Sequence, residues 1–142
     1  MPDVRPPKGT SVMHPDQFKV NEAWLVFKLN DEPIHTDRDG DFAFLALMDA
    51  ASCFILSSMP VSASQAEPTQ LQSRRLLKKG QAHKKRWPKT LYVPTELAAQ
   101  LLSVEAERLG VHVVRVPEDQ LSAFIDEARQ GFREHFGGHA VH

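Results

Sequence analysis

Eight lysines and arginines fall between positions 74 and 89: Arg74, Arg75, Lys78, Lys79, Lys84, Lys85, Arg86 and Lys89. No acid stands between Glu67 and Glu96. Arg74 and Lys78 are one helical turn apart, as are Arg75 and Lys79, so a helix through this segment carries a basic face. Such a face attracts phosphates and releases their condensed counterions. Trp87 and Tyr92 lie beside it in sequence and offer rings on which a base can stack. The competing reading is an ordinary solvated face, balanced by acids elsewhere and notably on the last helix. The formal net charge of the whole chain is −1, so any positive field must be local.

Other residue groups carry weaker chemistry. Asp37, Asp39 and Asp41 resemble the start of a calcium loop. Such a loop needs glycine at its sixth position and glutamate at its twelfth, where this chain has Phe42 and Met48. They read as a solvated turn. His135 and His139 stand four apart, but Gly137-Gly138 interrupts the helix that would align them, and His142 follows in a short tail. Cys53, the one cysteine, sits beside Phe54 and Ile55 and reads as a small buried hydrophobe. No nucleophile elbow, phosphate loop or dinucleotide fingerprint is present. No catalytic residue, metal site or cofactor is therefore assigned.

These residues need elements to hold them. The chain is 142 residues long, enough for one core. Residues 1–20 hold four prolines and few large apolar side chains, and read as a flexible arm. Ala23 to Leu29 alternates with period two and predicts a strand. Phe42 to Met48 is apolar on both faces and predicts a central strand. Cys53 to Val61 returns as a third strand. Thr69 and Gln72 form a capping box that opens a helix, which ends at Trp87-Pro88. Leu91 to Val93 is a fourth strand. Pro94-Thr95-Glu96 opens the next helix, with Thr95 as its cap, and Gly110 closes it. Val111 to Val116 is the fifth strand. Leu121, Phe124, Ile125, Ala128, Phe132 and Phe136 line one face of a last helix that stops at Gly137-Gly138. The predicted domain spans 21–137, with a flexible tail over 138–142. It is α/β, with a five-stranded mixed sheet and the element order βββαβαβα.

This order, carried by Trp24–Leu29, Phe42–Asp49 with its return strand, and Leu91–Val93 with the helix after it, resembles the RNase H-like fold of RNases H, integrases and transposases. The resemblance covers about residues 23 to 136. It implies carboxylates on the first strand and at the end of the fourth, holding two divalent metals that activate water and stabilise the leaving oxygen. Here the first strand reads Val26-Phe27-Lys28 and the fourth ends Val93-Pro94-Thr95, with no carboxylate in either. Lysine repels a metal ion that needs oxygen ligands. The resemblance therefore implies a member without the nuclease site.

Three function classes follow. The first is a non-catalytic binding or interaction module with a protein partner or a second copy of itself. The second is a nucleic-acid-binding protein using residues 74–89, with Trp87 available for stacking. The third is a metal-dependent hydrolase with a non-standard site drawn from Asp31, Asp49 and Glu96. No apolar run reaches the ~20 residues of a membrane helix and no signal-peptide core opens the chain, so a cytoplasmic location without membrane contact is expected.

Overall fold

β1 (Ala23–Lys28) is buried along all but its last residue. Its alternate residues serve two cores. Trp24 and Val26 join Leu45, Leu47, Leu76, Leu77 and Leu102, while Leu25 and Phe27 join Met48, Leu121, Phe124 and Ile125. A strand apolar on both faces is stable only inside a sheet covered by two helical layers. Burying each such large side chain contributes roughly 1.5–3 kcal/mol. The computed structural model describes residues 12–30, 33–35, 37 and 40–140, the side chains of 135–140 excepted, and has that layered arrangement.

β2 (Phe42–Asp49) and β3 (Ile55–Ser62) follow β1 as an antiparallel meander. Then come α1 (Gln70–Lys84), β4 (Thr90–Pro94), α2 (Gln100–Arg108), β5 (His112–Val116) and α3 (Ser122–Ala140). The sheet order is β3-β2-β1-β4-β5, with β1 parallel to β4 and β4 parallel to β5. The predicted element order and mixed five-stranded sheet are both present. Leu76 and Leu77 of α1 and Leu102 and Ala106 of α2 cover one face; Phe124 and Ile125 of α3 cover the other. Among the described residues no helix is long and apolar enough to cross a membrane.

Local signals explain most boundaries. Thr69 accepts from the Gln72 N–H at 3.1 Å, and the Gln72 side chain accepts from the Thr69 N–H at 2.9 Å, which completes the predicted box. α1 ends earlier than predicted, at Lys84, because Lys85 turns left-handed with φ 69°. Thr95 does not cap α2. Its N–H donates to Val116 O and continues the β4–β5 pairing, so the helix begins five residues later at Gln100. Glu67, far away in sequence, accepts from the Leu101 N–H at 2.7 Å and supplies the missing cap. α3 runs through Gly137-Gly138 to Ala140 instead of stopping there. Cys53 lies in the β2–β3 turn with φ 60°, not in the strand. Of the arm expected over 1–20, residues 1–11 lie outside the described residues. Met13 donates from its backbone to Gln120 O, and Phe18 packs against Tyr92 and Phe124.

Gly80 sets how closely α1 approaches the sheet. A Cβ there would meet Leu47 Cδ2 at 2.6 Å and the Trp24 ring at 3.3 Å. Both neighbours are fully buried and cannot swing away. Gly131 on α3 has nothing within 4 Å of the same position. Replacing a helical glycine by alanine favours the helix by ~1 kcal/mol, whereas overpacking a core costs ~1–3 kcal/mol. Gly131→Ala is therefore expected to raise stability by about 0.5–1 kcal/mol. Gly80→Ala lowers it by up to about 2 kcal/mol, and Gly80→Val lowers it further. Urea unfolding of the three variants checks the opposite signs.

Candidate nucleic-acid interface

The parallel strands give the sheet two chemically different ends. At the carboxyl end stand Lys28, Glu67, Glu96, Glu118 and Arg129. Glu96 Oε1 accepts from the Glu118 N–H at 2.9 Å and from the Thr95 hydroxyl at 3.2 Å. The Glu118 N–H is the main cause holding the Glu96 carboxyl below the usual carboxylate range. Arg129 pairs with both oxygens of Glu118, at 3.0 and 3.2 Å, and its Nε donates to Lys28 O at 2.9 Å. Each of these carboxylates thus accepts from the backbone or pairs with an arginine. Exposed Lys28 borders a cleft of about 260 Å³ that Glu67 and Glu96 also line. Among the described residues no group of three His, Cys, Asp or Glu side chains is placed to hold a metal ion.

Asp49 lies at the opposite end. Trp24 pairs with Asp49 and Lys28 with Leu45 in the β1–β2 register, so about five residues of strand, roughly 16 Å, separate Asp49 from the Glu96 end. The hydrolase set of Asp31, Asp49 and Glu96 is not brought together: Asp31 lies outside the described residues, and the other two occupy opposite ends. Of the aspartate turn, Asp41 pairs with His35 at 2.8 Å and Asp39 lies outside the description. The side chains of His135, His139 and His142 lie outside it too. Cys53 is half-buried, and its burial, followed by the charges of Glu127 and Asp49, pushes its thiol pKa up, away from reactivity.

The basic segment divides. Arg74 Nε donates to Glu105 Oε2 at 3.1 Å, and Arg108 bonds the same oxygen. Arg75, Lys78 and Lys79 are exposed along α1, and Lys85, Arg86 and Lys89 are exposed in the turn after it; Lys84 is half-buried. Trp87 is half-buried with its ring 6.0 Å from Trp24, and Tyr92 stacks edge-on against Phe18 on the α3 side. The acids expected to balance the basic face lie across the sheet: Glu118, Asp119, Asp126, Glu127 and Glu134 accompany only Arg129 and Arg133 on α3 and its lead-in turn. The two helical layers therefore carry opposite charge.

Two features at the amino end were not read from the sequence. A cleft of about 290 Å³ is lined by Lys19, Asn21, Glu22, Arg86, Trp87 and Lys89. Lys19 precedes β1 and Arg86–Lys89 precede β4; parallel pairing brings the two lead-ins together, so the β1–β4 pairing was the signal for it. Phe54, in the β2–β3 turn, stacks on His83 near the end of α1, with centroids 4.9 Å apart and planes 18° apart. Nothing local in the sequence announces that pair.

No protein-family model and no curated protein sequence matches the chain. Solved structures do. The catalytic core domain of BIV integrase aligns with a TM-score of 0.54 at 12% identity, over 85% of this chain and 72% of that one. A chain of the simian T-cell lymphotropic virus intasome, solved in complex with the PP2A regulatory subunit B56 gamma, aligns with a TM-score of 0.56 at 15% identity, over 81% of this chain and 39% of that one. The fold is RNase H-like.

Within an RNase H-like sheet, the carboxylate positions of active members lie on the first strand and at the end of the fourth. β1 here is Ala-Trp-Leu-Val-Phe-Lys and β4 is Thr-Leu-Tyr-Val-Pro. Glu96 follows β4 but accepts from the Glu118 backbone. The α1–α2 layer is held together by a clamp at Glu105, which is 1% exposed and pins α1 to α2. Hydrogen bonding from Arg108 first, then from Arg74, lowers its pKa from 4.5 to about 2. A depressed carboxyl stabilises the fold fully above the unfolded value and loses that contribution as pH falls through the folded one. Stability is expected to decline between about 4.5 and about 2 on this account. Glu105→Gln should lower stability at neutral pH and flatten that decline, which unfolding midpoints measured across pH will test.

Proposed function

We propose that this chain is a non-catalytic RNase H-like module that binds the phosphate backbone of nucleic acid through α1 and the turn after it. The observation that carries the reading is the row of exposed cations Arg75, Lys78, Lys79, Lys85, Arg86 and Lys89, with the acids of the α3 layer on the far side of the sheet. Within about one Debye length, ~8–10 Å, such a row presents a positive field that the net charge conceals. Glu105 pairs with Arg74 and Arg108, and none of the outer row pairs with it. The non-catalytic part of the reading rests on Lys28 and Pro94, which stand where a metal-binding sheet would supply oxygens. The integrase cores support a nucleic-acid-related role only through their shared fold. Binding to mixed single- and double-stranded DNA and RNA is expected at low salt, with log affinity falling by about 0.7–0.9 per phosphate neutralised for each tenfold rise in salt. Lys84→Glu, Lys85→Glu and Arg86→Glu together should weaken it at least about tenfold and make the salt dependence shallower. Binding that is absent at low salt, or indifferent to salt and to this triple change, overturns the proposal.

A second reading, a protein contact, is favoured by Leu71, Leu101 and Val104, which are 51%, 41% and 51% exposed. Leu71 lies one turn before Arg74, and Leu101 one turn before Glu105, so the ion pair puts both leucines at one level of the α1–α2 seam. Self-association seen by light scattering should fall in Leu101→Lys; a wild-type monomer at high concentration would count against contact between copies.

A further inference from the structure

The row of cations on α1 contacts any phosphate backbone and does not by itself choose between a duplex and a single strand. The amino end of the sheet adds what a choice requires. Phe54 is 47% exposed and is held face to face with exposed His83. The His83 ring covers one face of Phe54 and leaves the other to solvent. Close by in the chain, Lys84, Lys85 and Arg86 follow His83 directly. The cleft beyond them gathers Lys19, Arg86 and Lys89 from two separate lead-ins. Hydrogen bonds fix its walls: the Lys89 backbone N–H donates to Glu22 O at 2.9 Å, and the Asn21 side-chain Nδ2 donates to Arg86 O at 3.3 Å. Glu22 also lines the cleft, but its carboxylate accepts from the Lys19 N–H at 2.9 Å. Three cations thus face one carboxylate that is already hydrogen-bonded.

We infer that this end binds single-stranded nucleic acid in preference to duplex, with a phosphate in the Lys19–Arg86–Lys89 cleft and a neighbouring base stacked on the Phe54–His83 pair. The inference rests on the phosphate-binding reading above. A duplex keeps its bases stacked and paired, so an aromatic platform outside the helix gains nothing from them, whereas a single strand can splay a base onto it. The cleft, about 290 Å³, has room for a phosphate, so the choice between strands falls to the aromatic pair. Of the rings that sequence proximity points to, Tyr92 packs against Phe18, while half-buried Trp87, 6.0 Å from Trp24, also lines this cleft. DNA and RNA share the phosphodiester and the base face, and differ in the 2′-hydroxyl.

Fluorescence anisotropy of the full chain with a short labelled single strand, as DNA and as RNA, and with the matching DNA duplex tests this. Single strands of both kinds are expected to bind at least about fivefold tighter than duplex. Phe54→Ala should weaken single-strand binding by about 5- to 150-fold, leave duplex binding within about twofold, and leave the salt dependence unchanged. Phe54→Tyr, which keeps a ring, should retain the preference. Lys19→Glu, on an exposed residue outside every strand and helix, should reduce the salt slope by about 0.7 or more on single strands. A Phe54→Ala protein that binds single strands as wild type does, or loses single strand and duplex equally, overturns the inference. Binding without strand preference overturns it and leaves the phosphate reading standing; no binding to any nucleic acid overturns both.

Discussion

Asp49 is fully buried, and its two oxygens hold one end of the molecule together. Oδ1 accepts from the Asn21 N–H at 2.7 Å; Oδ2 accepts from the Ser52 N–H at 3.0 Å and from its hydroxyl at 2.7 Å. Asn21 passes the constraint on. Its side-chain oxygen accepts from Trp24 Nε1 at 2.7 Å, and its amide donates to Arg86 O. A carboxylate taken out of water is tolerable only when its oxygens are hydrogen-bonded, and here the partners come from separate pieces of chain. The lead-in to β1, the β2–β3 turn and the lead-in to β4 are fixed to one another by this network. Those three pieces carry Lys19, Phe54 and Arg86, so the geometry of the basic end depends on a residue that touches no ligand.

The second constraint is the closeness of α1 to the sheet. Without a side chain at Gly80, the helix lies directly on Leu47 and the Trp24 ring. Trp24 is thus held from two sides, by α1 above it and by Asn21 at its nitrogen. The Arg74–Glu105–Arg108 clamp then sets α1 against α2. Packing on one side and ion pairing on the other leave the outward face of α1 a single orientation, so the cations that helical spacing groups on that face point away from the sheet.

Much of this was legible in the sequence because the signals were local. The alternation of β1, the two-faced apolarity of β2, the Thr69–Gln72 box and the stripe from Leu121 to Phe132 each act within a few residues. From them the element order followed, and from the order the fold. The errors share a cause. Thr95 has the side chain of a helix cap, but its N–H belongs to the sheet, and Glu67 caps α2 from the other side of α1. Gly137-Gly138 weakens a helix by roughly 1 kcal/mol for each glycine, which is not enough to end one where no competing structure is offered. The candidate site was half legible. The basic row could be read from composition, whereas the Phe54–His83 stack and the partnership of Lys19 with Arg86 arise only from tertiary contact. Asp49, which the sequence offered as one member of a scattered hydrolase site, is engaged in structure.

The opposite charges of the two helical layers amount to a molecular dipole across the sheet. With a net charge of −1, a polyanion within about one Debye length would exert almost no pull on the molecule as a whole but would exert a torque on it. Such an approach would be selective in orientation, with the α1 side turned inward and the α3 side kept out. A bound array of such molecules would present its acidic helices to the solvent, so each strand it covered would keep a negative outer surface and repel a second layer.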